Sequence, residues 1–281
     1  MSTQENLNFM SSIELSYQKW GQGTEPILLL HGLADNAFVW ESLAEYLAPR
    51  FQIVAPDLRG HGDSLKPENG YTFFDLIGDL QLLLKSLGWS SAHVLAHSWS
   101  AKIATIWATQ SPENIRSLIL VDPFFIGKIP SFFRVSFPLL YQVLPFLKTI
   151  GPFSSYEEAE TVARQLKQYR GWSSLQQKAW KAGIEKKPDG SWGSKFTINA
   201  RNQIFLELIK VSGLTDYIDI PTLFIKPEKG LNRTNWQLQP YRQYLTNLTI
   251  VEFPGNHWAF LVNPDTFNVT IANFLNEIMQ S

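Results

Sequence analysis

A serine and a set of histidines are the side chains in this sequence whose setting points to chemistry. Ser98 lies where a short apolar run, Val94-Leu95-Ala96, ends and a helical pattern of Ala101, Ile103, Ala104, Ile106, Trp107 and Ala108 begins at once. At so sharp a strand-to-helix junction the hydroxyl is pushed clear of the sheet. The helix N-terminus leaves backbone N–H groups facing whatever binds there. The crowded turn needs small side chains two positions to either side, which Ala96 and Ser100 supply. A serine that only caps a helix would fit the same five residues. As a nucleophile Ser98 would need a base, because its hydroxyl stays protonated at neutral pH. Histidine can take that proton and later return it to a leaving group. The chain offers His31, His61, His93, His97 and His257, and it has no cysteine. The second fact removes thiolate nucleophiles, disulfides and thiolate metal sites. No pair of histidines has metal-ligand spacing with an acidic partner, so neither a metal nor another cofactor is expected.

These residues need elements to hold them. Ile13 to Trp20 alternates like an edge strand, whereas Pro26–Leu30, Phe51–Ala55, the run before Ser98 and Ile115–Val121 are continuously apolar, as strands buried on both faces are. Helical patterns separate them. The one from Thr72 opens with Asp75 three positions on, a capping-box variant, and closes near Gly88. Such alternation implies successive right-handed βαβ units and a mostly parallel sheet. It breaks between Phe124 and Ile209, a segment that reads mainly helical, with a turn at Asp189-Gly190. It resumes with strands at Thr222–Ile225 and Thr249–Phe253 and a last helix opened by Asn263-Pro264. The formal net charge of −1 argues against nucleic acid as a partner. No apolar run approaches the roughly 18 residues a spanning helix needs. With no basic-then-apolar start, a cytoplasmic protein is expected.

Four matches in order, His31-Gly32-Leu33, Pro56-Asp57-Leu58-Arg59-Gly60-His61-Gly62-Asp63-Ser64, the turn at Ser98 and Gly255-Asn256-His257-Trp258, resemble the α/β-hydrolase family over nearly the whole chain. Its nucleophile elbow, G-x-S-x-G, appears here with both glycines replaced. The resemblance implies an α/β fold with a mostly parallel eight-stranded sheet and a helical cap inserted after the sixth strand. The core is then residues 1–123 with 210–281 and the cap 124–209. It makes Ser98 the nucleophile and His257 the base. The backbone N–H groups of Leu33 and Trp99 become the oxyanion hole. His31 and His61 make structural hydrogen bonds, and Asp57, Arg59 and Asp63 serve as scaffolding. The side chain of His97 should point away from its neighbour Ser98.

The acid that orients the base is where this sequence departs from the family. Matched position by position, the usual aspartate is Gly230. Asp122, at the end of its strand, is the favoured substitute because a strand-end carboxylate is rigidly placed. Glu228 is the alternative, and a dyad or an inactive site is a third possibility. A serine hydrolase of carboxylesterase type is implied, working through an acyl-enzyme. Carbon–carbon hydrolysis, lyase or perhydrolase chemistry on the same residues is a second reading, and a feebly catalytic ligand-binding or receptor module a third. Ser98 argues against the epoxide-hydrolase and dehalogenase branches, which need a carboxylate nucleophile. The expected partner is a small hydrophobic substrate, since Phe124, Phe125, Phe132, Phe133, Phe137, Tyr141, Phe146, Phe153, Tyr156, Tyr169, Trp172 and Trp180 crowd the cap segment. Packing of the cap alone would also account for them.

Overall fold

The computed structural model describes residues 14–124, 126–127 and 150–280. Its main sheet consists of β1 (Tyr17–Trp20), β2 (Glu25–Leu30), β3 (Phe51–Pro56), β4 (Ala92–His97), β5 (Ile115–Val121), β8 (Thr222–Lys229) and β9 (Leu248–Asn256). A separate hairpin pairs β6 (Ile184–Lys186) with β7 (Trp192–Ser194). The order in the main sheet is β1-β3-β2-β4-β5-β8-β9, with β1 antiparallel to β3 and all other pairs parallel.

Alternation along the buried strands divides the core in two. Leu28, Leu30, Val54, Val94, Ala96, Leu118, Leu120 and Phe224 face one side. There they meet Leu76 and Leu80 of α2 (Phe73–Ser86) and Ile103 and Trp107 of α3 (Ser100–Gln110). Ile27, Leu29, Ile53, Leu95, Ile119, Val121, Leu223 and Ile225 face the other side. They pack on Leu43 and Leu47 of α1 (Glu41–Leu47) and on Phe267 and Ile271 of the last helix, Pro264–Gln280. Such strands carry apolar residues at every position because both faces are covered. The capping box at Thr72 and Asp75 forms, each side chain bonding the other's backbone N–H.

The main sheet has seven strands among the described residues. A further N-terminal strand would have to precede Glu14, and those residues lie outside the described ones. The chain therefore leaves the sheet after the fifth strand counted here and rejoins it at β8. The intervening part is mainly helical and also carries a short hairpin. It holds α4 (Tyr156–Arg164), a 3-10 turn at Lys167–Tyr169, α5 (Ser174–Gly183), the β6–β7 hairpin and α6 (Ile198–Lys210). Strands of three residues are too short to show a period, although the turn at Asp189-Gly190 joins them as read from sequence. Phe153, Ala159, Ala163, Leu166, Tyr169, Trp180 and Ile184 give this part a small core of its own.

Buried polar contacts tie it to the sheet layers. Asn36 Nδ2 donates to the Ala179 carbonyl at 2.9 Å, and Lys102 Nζ donates to the carbonyls of Leu208 (2.9 Å) and Gly127 (3.1 Å). Among the described residues no helix is long and apolar enough to cross a membrane.

The loop after β3 is fixed from beneath. Arg59 is fully buried and donates to both carboxylate oxygens of Asp79, at 2.6 and 2.7 Å, and to the Gly70 carbonyl at 2.6 Å. Asp57 accepts from Ala37 N and Asp63 N, linking this loop to the one after β2. Asp79→Ala leaves a guanidinium buried without its carboxylate. It should lower stability by about 3–5 kcal/mol in urea unfolding, the usual cost of breaking a buried ion pair from one side.

Candidate active site

The strand order reverses between β2 and β4, and crevices at such switch points lie beyond the carboxyl ends of the strands. Leu33 follows β2 and Ser98 follows β4 here, so the turn at Ser98 opens into that crevice. Ser98 has φ of +59°, a left-handed conformation that costs a non-glycine residue energy and throws the side chain off the strand. Ser100 does more than stay small. Its hydroxyl accepts from His97 N and lies within 3.0 Å of the Leu30 carbonyl, stitching the turn to β2.

Three side chains from three strand ends meet in one line. His257 Nε2 lies 3.0 Å from Ser98 Oγ, and His257 Nδ1 lies 2.6 Å from Asp122 Oδ2. An ionised carboxylate only accepts, so Nδ1 carries the hydrogen and Nε2 presents its lone pair to the serine hydroxyl. Asp122 is fully buried, yet its charge is well satisfied. Leu231 N donates to Oδ2 (2.8 Å) and Oδ1 (3.0 Å), Asn232 Nδ2 donates to Oδ1 (3.0 Å), and Asn232 N adds a longer bond of 3.3 Å. Its own φ of +40° turns the carboxylate toward β8. Glu228 is exposed and does not line the crevice.

Gly230 now has a physical reason. A Cβ built there would stand 2.5 Å from Asp122 Oδ2 and 2.8 Å from its Cγ. The space a side chain at 230 would fill is already occupied by the carboxylate from the end of β5. Leu33 and Trp99 line the same cavity as Ser98 and His257, and neither backbone N–H meets an acceptor among the described residues.

Other histidines fall where glycine turns and strands put them. Leu58 N donates to His31 Nε2 at 2.9 Å, His61 Nδ1 donates to the Arg59 carbonyl at 3.1 Å, and His93 Nδ1 lies 2.8 Å from Ser117 Oγ. No contact joins the His97 ring to Ser98 among the described residues. The ring lies 4.4 Å from the His257 ring, centroid to centroid, and its Nε2 donates to the His257 carbonyl at 2.9 Å. The loop after β9 returns on that side of the strand. Gly32 permits this, since a Cβ there would meet His97 Nδ1 at 2.5 Å. Burial and the neighbouring His257 hold the His97 ring well below the usual histidine range, so it is neutral.

The cavity over these groups measures about 430 Å³. Leu33, Trp99, Phe124, Leu166, Phe205 and Leu208 form its apolar wall. Of the aromatic residues singled out in the sequence, Phe153, Tyr169 and Trp180 are spent on the small core of the insertion, and only Phe124 is a described cavity residue. Phe125, Phe132, Phe133, Phe137, Tyr141 and Phe146 lie outside the described residues. Phe205 was missed because its helical spacing reads as ordinary core. Asp35 was missed too. It is buried in the cavity wall, accepts from Trp258 Nε1 at 3.3 Å, and burial pushes its carboxyl up to about 7.

Two tests follow from this geometry. Gly230→Ala should push the Asp122 carboxylate off His257 and lower whatever turnover the Ser98–His257 pair supports by at least about 100-fold without unfolding the protein, a loss within the range set by misplaced groups at a site. Asp35 predicts a pH effect on stability. Between about 4 and 7 the folded protein holds a proton that the unfolded chain has released, so stability falls as pH rises through that window. Asp35→Asn should therefore gain stability relative to the parent between pH 5 and pH 8. Urea unfolding at both values, with His97 and Tyr169 as the titratable neighbours left in place, measures the difference.

Comparison with known proteins agrees with this architecture. Residues 25–264 match the family model described as alpha/beta hydrolase fold. A serine hydrolase-like protein of Danio rerio is 24 % identical over 278 residues, covering 93 % of this chain and 85 % of that one. A soluble epoxide hydrolase of Corynebacterium sp. (strain C12) is 31 % identical over 113 residues, 40 % of this chain and 39 % of the other. Among solved structures, a marine microorganism esterase superposes with a TM-score of 0.76 at 26 % identity, covering 94 % of this chain and all of its own (100 %). Sheet order, strand-end turns and these matches together make the chain a member of the alpha/beta hydrolase fold family of hydrolytic enzymes.

Proposed function

We propose that the protein is a serine hydrolase of carboxylesterase type, cleaving esters with a hydrophobic acyl or alcohol part through an acyl-enzyme. The observation that carries this reading is the unbroken hydrogen-bond line Ser98–His257–Asp122 at the edge of an apolar cavity. In the first half-reaction Ser98 Oγ attacks the ester carbonyl while its proton passes to His257 Nε2. Asp122 balances the imidazolium that forms and keeps the ring in its working tautomer. The N–H groups of Leu33 and Trp99 take the oxyanion, each such donor being worth about 3–4 kcal/mol in the transition state. His257 then protonates the leaving alcohol. Water, deprotonated by the same nitrogen, attacks the acyl-enzyme and releases the acid and Ser98. Residues 124–209 act as a cap over a core of residues 1–123 and 210–281, supplying Phe124, Leu166, Phe205 and Leu208 to the substrate wall.

The hydroxyl nucleophile sets this reading apart from chemistry that needs a carboxylate at position 98. A binding module without turnover would have no use for a strained serine bonded to an oriented imidazole. The Asp122 carboxylate beside Gly230 gives the glycine a reason compatible with an enzyme, which supports this reading.

A fluorophosphonate probe should label the intact protein at Ser98, with Ser98→Ala abolishing the label. On 4-nitrophenyl butyrate, Asp122→Asn should reduce kcat by about 10⁴-fold while Glu228→Gln stays near the parent value. Equal losses for the two acids, in variants with parental thermal unfolding, would refute the role given to Asp122.

A further inference from the structure

The described wall of the cavity is one-sided in charge. It carries three basic side chains, Lys167, Lys229 and Arg233, against a single carboxyl, Asp35. They come from two segments, the end of β8 with its following turn (Lys229 and Arg233) and the 3-10 turn at Lys167–Tyr169, which meet at Asn256, the residue before His257. Asn256 is the partner of Lys229 in the β8–β9 ladder, and its Nδ2 donates to the Lys167 carbonyl at 3.1 Å. Arg233 Nε donates to the carbonyl of Gly230, the neighbour of Lys229, at 2.8 Å. All three side chains are exposed, and no carboxylate among the described residues pairs with any of them. Lys226 makes the contrast. On the same strand but away from the cavity, it pairs with Glu252 at 2.7 Å.

A cleft lined mostly by one sign of charge focuses the field on an oppositely charged ligand. Asp35 opposes this weakly, because it is buried in the wall against Trp258 and its burial favours the uncharged acid. The apolar wall and the basic edge are parts of one cavity of about 430 Å³, so one molecule can touch both. We propose that the substrate is an ester bearing a free carboxylate, with its hydrocarbon part along Phe124, Leu166, Phe205 and Leu208 and the carboxylate at Lys167, Lys229 and Arg233. This rests on the serine hydrolase reading and narrows it to amphiphilic monoanions.

The test compares mono(4-nitrophenyl) glutarate with its neutral methyl ester, which differ in little but the charge. The parent protein should prefer the hemiester by about tenfold or more in kcat/KM, the lower end of what focused fields contribute. Lys167→Gln/Lys229→Gln/Arg233→Gln should erase that preference, whereas Lys19→Gln/Lys85→Gln/Lys186→Gln, the same charge change at exposed positions outside the cavity, should keep it. Raising ionic strength from about 0.01 M to about 1 M, which shortens screening from about 30 Å to about 3 Å, should erase it as well. No preference in the parent, or one that survives the first triple substitution, overturns the proposal. Failure of the hydrolase reading appears separately, as no turnover of either ester and no fluorophosphonate label. The anion site is then judged by calorimetry on Ser98→Ala with monobenzyl glutarate and benzyl methyl glutarate. Tighter binding of the acid that the cavity triple abolishes supports the site, and equal binding of the two overturns it.

Discussion

The buried Asp122 carboxylate is the group on which the rest of the site depends. An ionised carboxylate removed from water is tolerable only when its oxygens are bonded, and four of the five bonds it receives come from Leu231 and Asn232. Those donors belong to the turn after β8, over a hundred residues further along the chain. The same charge that orients His257 thus also closes the turn between β8 and α7 (Asn235–Tyr244). Breaking the carboxylate's contacts would disturb the imidazole and that turn together.

Positive φ angles mark the two strand ends that carry this arrangement, at Ser98 and Asp122. Both strands lie in the middle of the sheet, where neighbours on each side and helices on each face hold the backbone against relaxation. Strain at such points is maintained by the surrounding packing. Trp99, Ile103 and Trp107 bury the helix that follows Ser98, and the hydroxyl of Ser100 supplies a bond to β2 that glycine could not make. His97 adds a clamp on the backbone of His257. Its neutral ring donates to the His257 carbonyl and lies tilted against the His257 ring.

The insertion divides its aromatic residues between two tasks. Phe153, Tyr169 and Trp180 hold the small core together, while Phe124 and Phe205 face the cavity. Composition could not separate the two, because burial in a core and exposure in a pocket select the same side chains. What distinguishes them is which face of each helix meets the sheet layers, and that is set by tethers such as Asn36 to Ala179 and Lys102 to Leu208.

Local rules carried the sequence reading a long way. Continuous apolar runs marked the buried strands, the break in alternation marked the insertion, and a serine between a strand and a helix marked the elbow, because each signal spans only a few residues. The short hairpin at β6 and β7 and the contact between His97 and the loop of His257 escaped it, since three-residue periods and returning loops leave no local trace. Whether Asp122 or Glu228 faces His257 could not be decided from spacing. The choice depends on atoms brought together from β5, β8 and β9, and on a void at Gly230 that exists only because a carboxylate from another strand fills it. The sequence by itself determined the strands, the turn at Ser98 and the loop of His257 through short-range pattern. Tertiary structure alone decided which charges meet, because burial and hydrogen-bond satisfaction are properties of the packed chain.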